Sequence, residues 1–237
     1  MIKTVFFFTV FGISLLVSIF FAFVYLILGV VGLKKLQRSF MIRVTRAWAR
    51  LMIAVTGNKI RVENQELVPN GPVLFVANHQ SYFDIPVMMA YTPHFAPFIA
   101  KVELEKVWML SFWMKQMGCL FMDRKNMRQS LQVILDGIEI LKKGESLVIF
   151  PEGTRSQDGQ LMDFKPGSLK LAVKANVPIV PVTLINTYKV FEENKRVRKA
   201  DVSVIFHKAI DTTSLSRDDV NQLHLIVKEQ IQSRLER

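Results

Sequence analysis

A run of thirty residues without a charged side chain, residues 4–33, limits what the amino-terminal part of this chain can become. As a helix rising about 1.5 Å per residue, it would exceed the roughly 30 Å hydrocarbon core of a bilayer. It is longer than the apolar core of a signal peptide, about 7–15 residues, and no small-residue cleavage site follows it. We expect a single tilted membrane span. The alternative is a re-entrant or hairpin insertion that bends at Gly12, or at Gly29 and Gly32.

Positive charge is concentrated beside this run. The formal net charge is +11, yet nine basic residues and no acidic residue precede Glu63, while 22 basic and 20 acidic residues lie from there onward. Lys3 precedes the apolar run and six basic residues follow it within residues 34–50, so the positive-inside rule places the rest of the chain in the cytoplasm. The remaining part is nearly neutral, which argues against a nucleic-acid partner.

Residues 34–55 have the pattern of a second, basic amphipathic helix. Its apolar residues recur at helical spacing: Leu36, Phe40, Val44, Trp48, Leu51 and Val55. Such a helix is expected to lie in the membrane interface against anionic lipid, or to pack its apolar stripe on the globular part, or both. The turn signal at Gly57 then divides the chain into membrane-anchoring helices, residues 1–56, and a globular domain, residues 57–237.

The remainder alternates between strand and helix patterns. Strands are predicted at residues 59–63, 72–77, 98–101, 118–123, 146–150, 179–185 and 200–206. Helices are predicted at residues 81–91, 103–117 (one helix or a pair), 129–143, 167–175 and 216–235. This alternation indicates an α/β fold with a mixed, largely parallel sheet flanked by helices, and with ligands at the carboxyl ends of the strands. Residues 191–199 form the most polar loop and are expected to be solvated.

One short block, NHQSYFD at residues 78–84, follows a predicted strand and combines a histidine, a hydroxyl and a carboxylate. On a common helix His79 and Asp84 would be about 140° apart, so they can meet only if His79 precedes the helix and Asp84 lies in its first turn. A histidine held by a carboxylate is a candidate general base. The simpler interpretation is a capping box formed by Ser81 and Asp84, with His79 as an ordinary loop residue.

A second block, FPEGTRS at residues 150–156, also follows a predicted strand. Gly153 permits close backbone approach, Thr154 supplies a hydroxyl, and Arg155 can bind a phosphate through two N–H groups. Glu152 could bind a hydroxyl or hold Arg155, although a strand-end turn with a surface ion pair is the simpler interpretation. Other cations could converge on the same anion: Arg124, Lys101 and Lys165.

Several common site patterns are absent from the sequence. There is no Gly-x-Ser-x-Gly elbow, no Walker A loop and no Gly-x-Gly-x-x-Gly fingerprint. The other histidines, His94, His207 and His224, lack ligand spacing to one another or to the single cysteine, Cys119. The sequence therefore predicts no metal, no cofactor and no covalent serine intermediate. The lone cysteine excludes an internal disulfide, which suits a reducing compartment.

The blocks together resemble the glycerolipid acyltransferase family. Residues 78–84 are similar to its His-x4-Asp block, residues 118–124 to its second, residues 150–156 to its third, and VPIVPV at residues 177–182 to its fourth. The order and separations fit over roughly residues 57–206. One His-x4-Asp motif is weak evidence, but four blocks in order are specific. Met122 departs from the isoleucine or valine usual in the second block, a conservative change.

The resemblance implies an enzyme that moves an acyl group from acyl-CoA or acyl-carrier protein to lysophosphatidic acid, giving phosphatidic acid for phospholipid synthesis. His79 would be the base and Asp84 its partner, while Arg124, Glu152, Gly153 and Arg155 would hold the glycerol phosphate. The fourth block would help shape the acyl pocket. The likeness is greatest to bacterial members, which implies the cytoplasmic face of the inner membrane and the bilayer as a partner.

Two alternatives stay open at this point. The acceptor could be glycerol 3-phosphate, another lysophospholipid or an amino lipid. The chain could also be a membrane-anchored lipid-binding module without catalysis, although such a module needs no base.

Overall fold

The computed structural model describes residues 1–235 and begins with two antiparallel helices. The first, α1, is Ile2–Val30, and the second, α2, is Lys34–Thr56. Gly12 lies inside α1 without breaking it, and the chain reverses at Gly32, whose φ is +82°. Gly57 ends α2 in the left-handed region, with φ +76°, where a residue without Cβ is favoured.

The rest of the described chain alternates between strands and helices, as the sequence predicts. The strands are β1 (Ile60–Glu63), β2 (Leu74–Ala77), β3 (Ile99–Lys101), β4 (Leu120–Met122), β5 (Leu147–Ile149), β6 (Ile179–Ile185) and β7 (Val202–Phe206). The helices are α3 (Asp84–Tyr91), α4 (Trp108–Met117), α5 (Met127–Lys142), α6 (Lys170–Ala175) and α7 (Arg217–Leu235). Short 3-10 helices occupy Gln65–Leu67, Val102–Lys106 and Thr187–Val190.

Five strands form the main sheet in the order β1-β7-β6-β2-β5. Only the β6–β7 pair in this sheet is antiparallel, so the sheet is mixed and largely parallel. Strands β3 and β4 form a separate parallel pair, joined to β5 through a parallel bridge between Phe98 and Val148. The predicted α/β fold is confirmed, and the carboxyl ends of β2, β5, β3 and β4 lie along one edge.

Strand β2 shows how the sheet divides the core. Phe75 and Ala77 point into the cluster beneath α2, α3 and α4, while Leu74 and Val76 point into the cluster beneath α5, α6 and α7. This alternation follows from the two-residue period of a strand. All four residues are fully buried, as expected for a central strand covered by helices on both faces.

Helix α2 packs against the rest of the protein through two faces. Its most buried residues, including Met41, Ala49 and Ile53, pack in the same core as α3. The predicted apolar stripe is less buried and lies toward α1, where Phe40 contacts Phe21 and Trp48 contacts Phe11. The most buried stripe is therefore a different one, although Val44, Trp48 and Val55 of the predicted stripe also pack against the core clusters. The division at residue 57 stays a prediction.

Helix α1 is long and apolar enough to cross a membrane, and its outward face is almost wholly apolar. Its inward face is tied to the protein at both ends. Phe7 contacts Phe83 with ring centroids 5.3 Å apart, and Tyr25 contacts Trp113 at 6.0 Å. Whether the helix spans the bilayer or dips into it stays a prediction.

Two predicted helices begin later than expected, and one prediction that left two possibilities open is resolved. The helix predicted over residues 81–91 begins only at Asp84, because residues 79–82 form a turn whose N–H groups bind carboxylates. Residues 103–117 form the predicted pair, a 3-10 helix followed by α4. The helix predicted over residues 167–175 begins only at Lys170, because Ser168 donates both its N–H and its hydroxyl to the Lys165 carbonyl, which forms a turn.

Candidate active site

The turn that carries the His-x4-Asp block begins where β2 leaves the sheet. The Asn78 side chain accepts the Leu184 N–H at 2.7 Å and donates to the Leu184 carbonyl at 2.9 Å. The amide therefore pairs with β6 as a backbone peptide would, and it does so while fully buried. This pairing fixes the point at which residues 79–84 turn away from the sheet.

His79 and Asp84 meet as the spacing requires. His79 precedes α3, Asp84 is its first residue, and His79 Nδ1 lies 2.7 Å from Asp84 Oδ2. The same oxygen accepts the N–H groups of Gln80 at 2.7 Å and Ser81 at 2.8 Å, so it acts as a carboxylate acceptor. The His79 Nδ1 therefore carries the proton, and Nε2 keeps its lone pair. Within residues 1–235 Nε2 has no hydrogen-bond partner, and the side chain is 15% exposed.

Only one of the two hydrogen bonds of a capping box forms between Ser81 and Asp84. A complete box occurs at α7, where Asp219 N–H donates to the Ser216 hydroxyl and Ser216 N–H donates to the Asp219 carboxylate. At α3 the Ser81 N–H does reach Asp84, but the Ser81 hydroxyl accepts from Phe83 N–H instead. Asp84 thus shapes the turn and orients His79 with one oxygen.

The loop after β5 holds His79 on three sides. The His79 ring stacks on Phe150, with centroids 4.1 Å apart and planes inclined by 20°. Its backbone N–H donates to Glu152 Oε1 at 2.6 Å, and its carbonyl accepts from Ser156 N–H at 2.9 Å. The base is therefore positioned by residues that lie some 70 positions further along the chain.

Glu152 is a buried carboxyl group with an altered acidity. Burial raises the pKa of Glu152 to about 7, helped by the nearby Asp84 charge and opposed by the N–H groups of His79 and Met162. The structure does not bring Glu152 to Arg155, contrary to one expectation from the sequence. Its oxygens face the turn backbone because Arg155 has a different partner.

The carboxylate that pairs with Arg155 is Glu192. Arg155 Nη1 donates to Glu192 Oε1 at 3.0 Å, and the guanidinium lies over the Tyr82 ring, 3.5 Å from its centroid. The prediction that residues 191–199 form a wholly solvated loop is wrong at this point, since Glu192 is 4% exposed. The loop folds inward because Val190 and Val197 on either side of it are buried in a small apolar cluster with Phe83.

Carboxylates accept every backbone N–H of the turn from residue 79 to residue 82. Glu152 accepts the N–H of His79, and Asp84 accepts those of Gln80 and Ser81. Glu192 Oε1 accepts the N–H of Tyr82 at 2.8 Å. A run of N–H groups before a helix is electropositive, which favours such anions. The turn is therefore shaped by three acids, of which Asp84 is local while Glu152 and Glu192 come from distant segments of the chain.

The other predicted anion-binding residues divide into two groups. Lys165 lies against Gly153, because a Cβ built on that glycine would be 3.0 Å from Lys165 Nζ, and Gly153 has φ +77°. Thr154 is exposed on the same loop.

Lys101 and Arg124 instead lie at the carboxyl ends of β3 and β4. Lys101 is ion-paired with Glu103 at 2.8 Å. Burial lowers the pKa of Arg124, and the nearby Glu103 charge opposes this shift. No hydrogen bond or ion pair joins either of these two cations to His79 in the described chain.

The remaining histidines and the cysteine are structural or peripheral. His207 binds the Thr183 hydroxyl at 2.7 Å, and burial lowers its pKa to about 4. Burial raises the pKa of Cys119 to about 12, so its thiol is not a ready nucleophile. Among residues 1–235 no group of three His, Cys, Asp or Glu side chains is placed to hold a metal. The expectation that the reaction needs none stays a prediction.

Sequence inspection missed Glu192, Phe150 and Tyr82 as parts of the site. Phe150 and Tyr82 stand inside the recognised blocks, but ring stacking depends on how two distant strands are aligned. For Glu192 one signal was present, since two apolar residues, Val190 and Phe191, precede it directly. An acid after an apolar pair is a poor fit to a fully solvated loop.

Comparison with known proteins agrees with this geometry. Residues 59–185 match the family model described as Acyltransferase, which is more than half of the chain. A protein of Mycoplasma pneumoniae named "Probable 1-acyl-sn-glycerol-3-phosphate acyltransferase" is 37% identical over 71% of this chain and 68% of its own. The 1-acyl-sn-glycerol-3-phosphate acyltransferase of Borreliella burgdorferi is 34% identical over 81% of this chain and 77% of its own.

A solved structure is also similar. The crystal structure of the 1-acyl-sn-glycerophosphate acyltransferase from Thermotoga maritima superposes with a TM-score of 0.87 at 26% identity, covering 99% of this chain and 94% of that one. The chain therefore belongs to the acyltransferase family and is an acyltransferase. The resemblance to the glycerolipid branch of that family, which the four sequence blocks indicated, is confirmed.

Proposed function

We propose that the chain transfers a fatty acyl group from a thioester to the free hydroxyl of lysophosphatidic acid, giving phosphatidic acid. The observation that carries this proposal is the 2.7 Å contact between His79 Nδ1 and the fully buried Asp84, which leaves Nε2 available to a substrate. The relatives in which this fold occurs are named for the same acceptor. The thioester is that of acyl-CoA or of acyl-carrier protein.

The chemistry follows from the state of the imidazole. His79 Nε2 takes the proton of the acceptor hydroxyl as its oxygen bonds to the thioester carbonyl carbon, and Asp84 stabilises the imidazolium that results. The tetrahedral intermediate collapses by breaking the carbon–sulfur bond. The departing sulfur takes the proton back from Nε2, so the products are phosphatidic acid and a free thiol. No covalent acyl-enzyme and no bound cofactor are needed.

The acceptor phosphate is assigned to Arg155. Glu192 engages only Nη1, and the other N–H groups of the guanidinium have no hydrogen-bond partner within residues 1–235. A planar guanidinium held in place suits a phosphate better than a mobile ammonium group. Gly153, Thr154 and Lys165 lie on the same loop and add to the anion site. Lys101 and Arg124, at the neighbouring strand ends, attract the acidic substrates.

Helix α1 and the basic face of α2 suit a membrane surface. The apolar face of α1 is suited to lipid, and α1 lies beside the site, because its Phe7 packs on Phe83, the residue before Asp84. Both acceptor and product are lipids, so a site beside the bilayer shortens their transfer. We place the protein at the cytoplasmic face on the evidence of its charge distribution.

Thiol release by the purified, detergent-solubilised protein tests the proposal. With palmitoyl-CoA or a palmitoyl-carrier protein, release should require lysophosphatidic acid and should be much slower with glycerol 3-phosphate or lysophosphatidylcholine. Release with another acceptor would keep the chemistry and change the substrate. If no thiol is released with any donor and acceptor, the result would favour a lipid-binding module.

Replacing His79 tests the assigned base. The His79→Ala variant should lose at least about a thousandfold in kcat, since general-base catalysis contributes roughly 10²–10⁴-fold and substrate positioning is also disturbed. A His94→Ala variant is the matched control, because that histidine hydrogen-bonds the Pro69 carbonyl away from the site. Near-normal turnover by His79→Ala would remove the base from this mechanism.

A further inference from the structure

Glu192 joins two parts of the site that arrive on different strands. Its Oε2 accepts the Ser81 hydroxyl at 2.7 Å, and its Oε1 accepts both Tyr82 N–H at 2.8 Å and Arg155 Nη1 at 3.0 Å. Ser81 and Tyr82 follow β2, whereas Arg155 follows β5. One carboxylate therefore connects the turn that carries the base to the cation that faces the acceptor.

The surroundings of Glu192 require a charged partner. Its side chain is 1% exposed, and a carboxylate buried to that degree is costly unless it is paired and hydrogen-bonded. Of the three groups that meet it, only Arg155 carries a charge. Loss of that ion pair would leave an acid buried with neutral donors alone.

Arg155 is restricted in turn. Its guanidinium is held at one edge by Glu192 and on one face by the Tyr82 ring, so it has little freedom to rotate. Both supports depend on the same oxygen, because Glu192 Oε1 also binds Tyr82 N–H. A free arginine side chain loses rotamer entropy when a ligand orders it, and this arrangement orders it beforehand.

We propose that Glu192 is a positioning residue that fixes the phosphate-binding guanidinium of Arg155 at a set distance from His79. The inference rests on the proposed function, since it takes the acceptor to be a phosphorylated lipid. With phosphate and base at a fixed separation, the hydroxyl adjacent to the phosphate-bearing carbon is brought to Nε2. Glu192 thereby contributes to acceptor specificity without touching the reacting atoms.

A kinetic comparison of two neighbouring glutamates tests the proposal. Glu192→Gln keeps the side-chain shape and removes the charge, and it should raise the KM for lysophosphatidic acid about tenfold or more, as expected for a hydrogen bond between charged groups. The change in kcat and in the donor KM should be much smaller. Glu193→Gln is the matched control, because that exposed carboxylate is hydrogen-bonded only to the Asn194 side chain within residues 1–235.

A double variant separates positioning from a purely structural role. If Glu192 acts through Arg155, then adding Glu192→Gln to Arg155→Ala should change the acceptor KM by less than about twofold, because coupled residues are not additive. Full additivity, or an unchanged acceptor KM in Glu192→Gln alone, would overturn the proposal. Wild-type protein inactive toward lysophosphatidic acid would instead overturn the proposed acceptor.

Chemical labelling supplies a test that needs no turnover. Phenylglyoxal modifies free guanidinium groups, and adducts at Arg155 can be followed by peptide mass spectrometry in the detergent-solubilised protein. Labelling of Arg155 should be several-fold faster in Glu192→Gln, and in Glu192→Asp if the glutamine variant does not fold, than in wild type or Glu193→Gln. Equal rates in all these proteins would show that Glu192 does not hold the guanidinium.

Discussion

At the scale of single residues, the site is a turn surrounded by acids. Asp84, Glu152 and Glu192 are each 5% exposed or less, and all three lie within hydrogen-bond distance of the same few backbone N–H groups. Two of them have a cationic or protonatable partner, namely His79 for Asp84 and Arg155 for Glu192. Within residues 1–235 Glu152 is hydrogen-bonded to N–H groups alone, and burial raises its pKa, which favours the neutral form.

The raised pKa of Glu152 predicts that the stability of the protein depends on pH. The pKa of Glu152 is raised from 4.5 to about 7 by burial, so the native state holds this proton more tightly than the unfolded chain does. Between pH 4.5 and 7 the unfolded chain alone releases it, and the free energy of unfolding should fall by roughly 3 kcal/mol across that interval.

Thermal midpoints of wild type, Glu152→Gln and Glu193→Gln, measured at both ends of the interval, check this prediction. The decline with pH should be smaller in Glu152→Gln, because the amide does not titrate. Glu193→Gln should decline like wild type, since that carboxylate is exposed. Parallel declines in all three proteins would contradict the assignment of the proton to Glu152.

At the scale of elements, α1 is fastened to the catalytic turn rather than merely attached to the domain. Phe7 is 8% exposed in a cluster with Met52, Phe83 and Val190, and Phe83 directly precedes Asp84. Phe8 contacts Phe191, which directly precedes Glu192. The first turns of α1 therefore support two of the three acids through their neighbours.

Removing one ring from this cluster should destabilise the protein. Phe7→Ala is expected to cost about 3 kcal/mol, the usual range for a buried aromatic side chain, while Phe6→Ala should cost under about 1 kcal/mol. Phe6 is the matched control because it lies on the same helix and is 56% exposed. Thermal unfolding in detergent measures both, and equal losses would mean that α1 is not packed as described.

The same elements show how far the sequence alone reaches. Periodicity and turn residues located the strands and most helices, because those signals are local. The His79–Asp84 pair was also predictable, since both residues lie in one turn. Glu192 was not, because its burial depends on the apolar side chains of Val190 and Val197 reaching a pocket that α1 completes.

The phosphate cations show the same limit. Arg155 and Lys165 share a loop with Gly153, so their proximity follows from the sequence. Lys101 and Arg124 stand at the carboxyl ends of β3 and β4, close to Glu103, and their convergence on the same anion stays a prediction. The distance between two strand ends depends on strand order, which a single sequence does not state.

At the scale of the whole molecule, an apolar surface on α1 lies beside basic side chains on α2. The outward face of α1 exposes Phe6, Leu16, Phe20 and Phe23, and α2 beside it exposes several basic side chains, namely Lys34, Lys35, Arg43 and Arg50. Apolar burial in lipid does not depend on salt, whereas attraction between exposed charges does.

Extraction of isolated membranes distinguishes the two contributions. At about 1 M salt the Debye length is only about 3 Å, so a protein held by charge alone would be released. We expect this protein to remain with the membrane in high salt and to be released by detergent. Release by salt would show that α1 does not enter the bilayer.

The three acids around the catalytic turn also set an order of events during synthesis. Glu152 lies 73 positions after His79, and Glu192 lies 110 positions after Tyr82. At about 5–20 residues per second, the ribosome needs roughly 5–20 s to travel from the turn to its last carboxylate. We expect a growing chain to carry this turn without its two distant carboxylates for that interval and to acquire activity only near the end of translation.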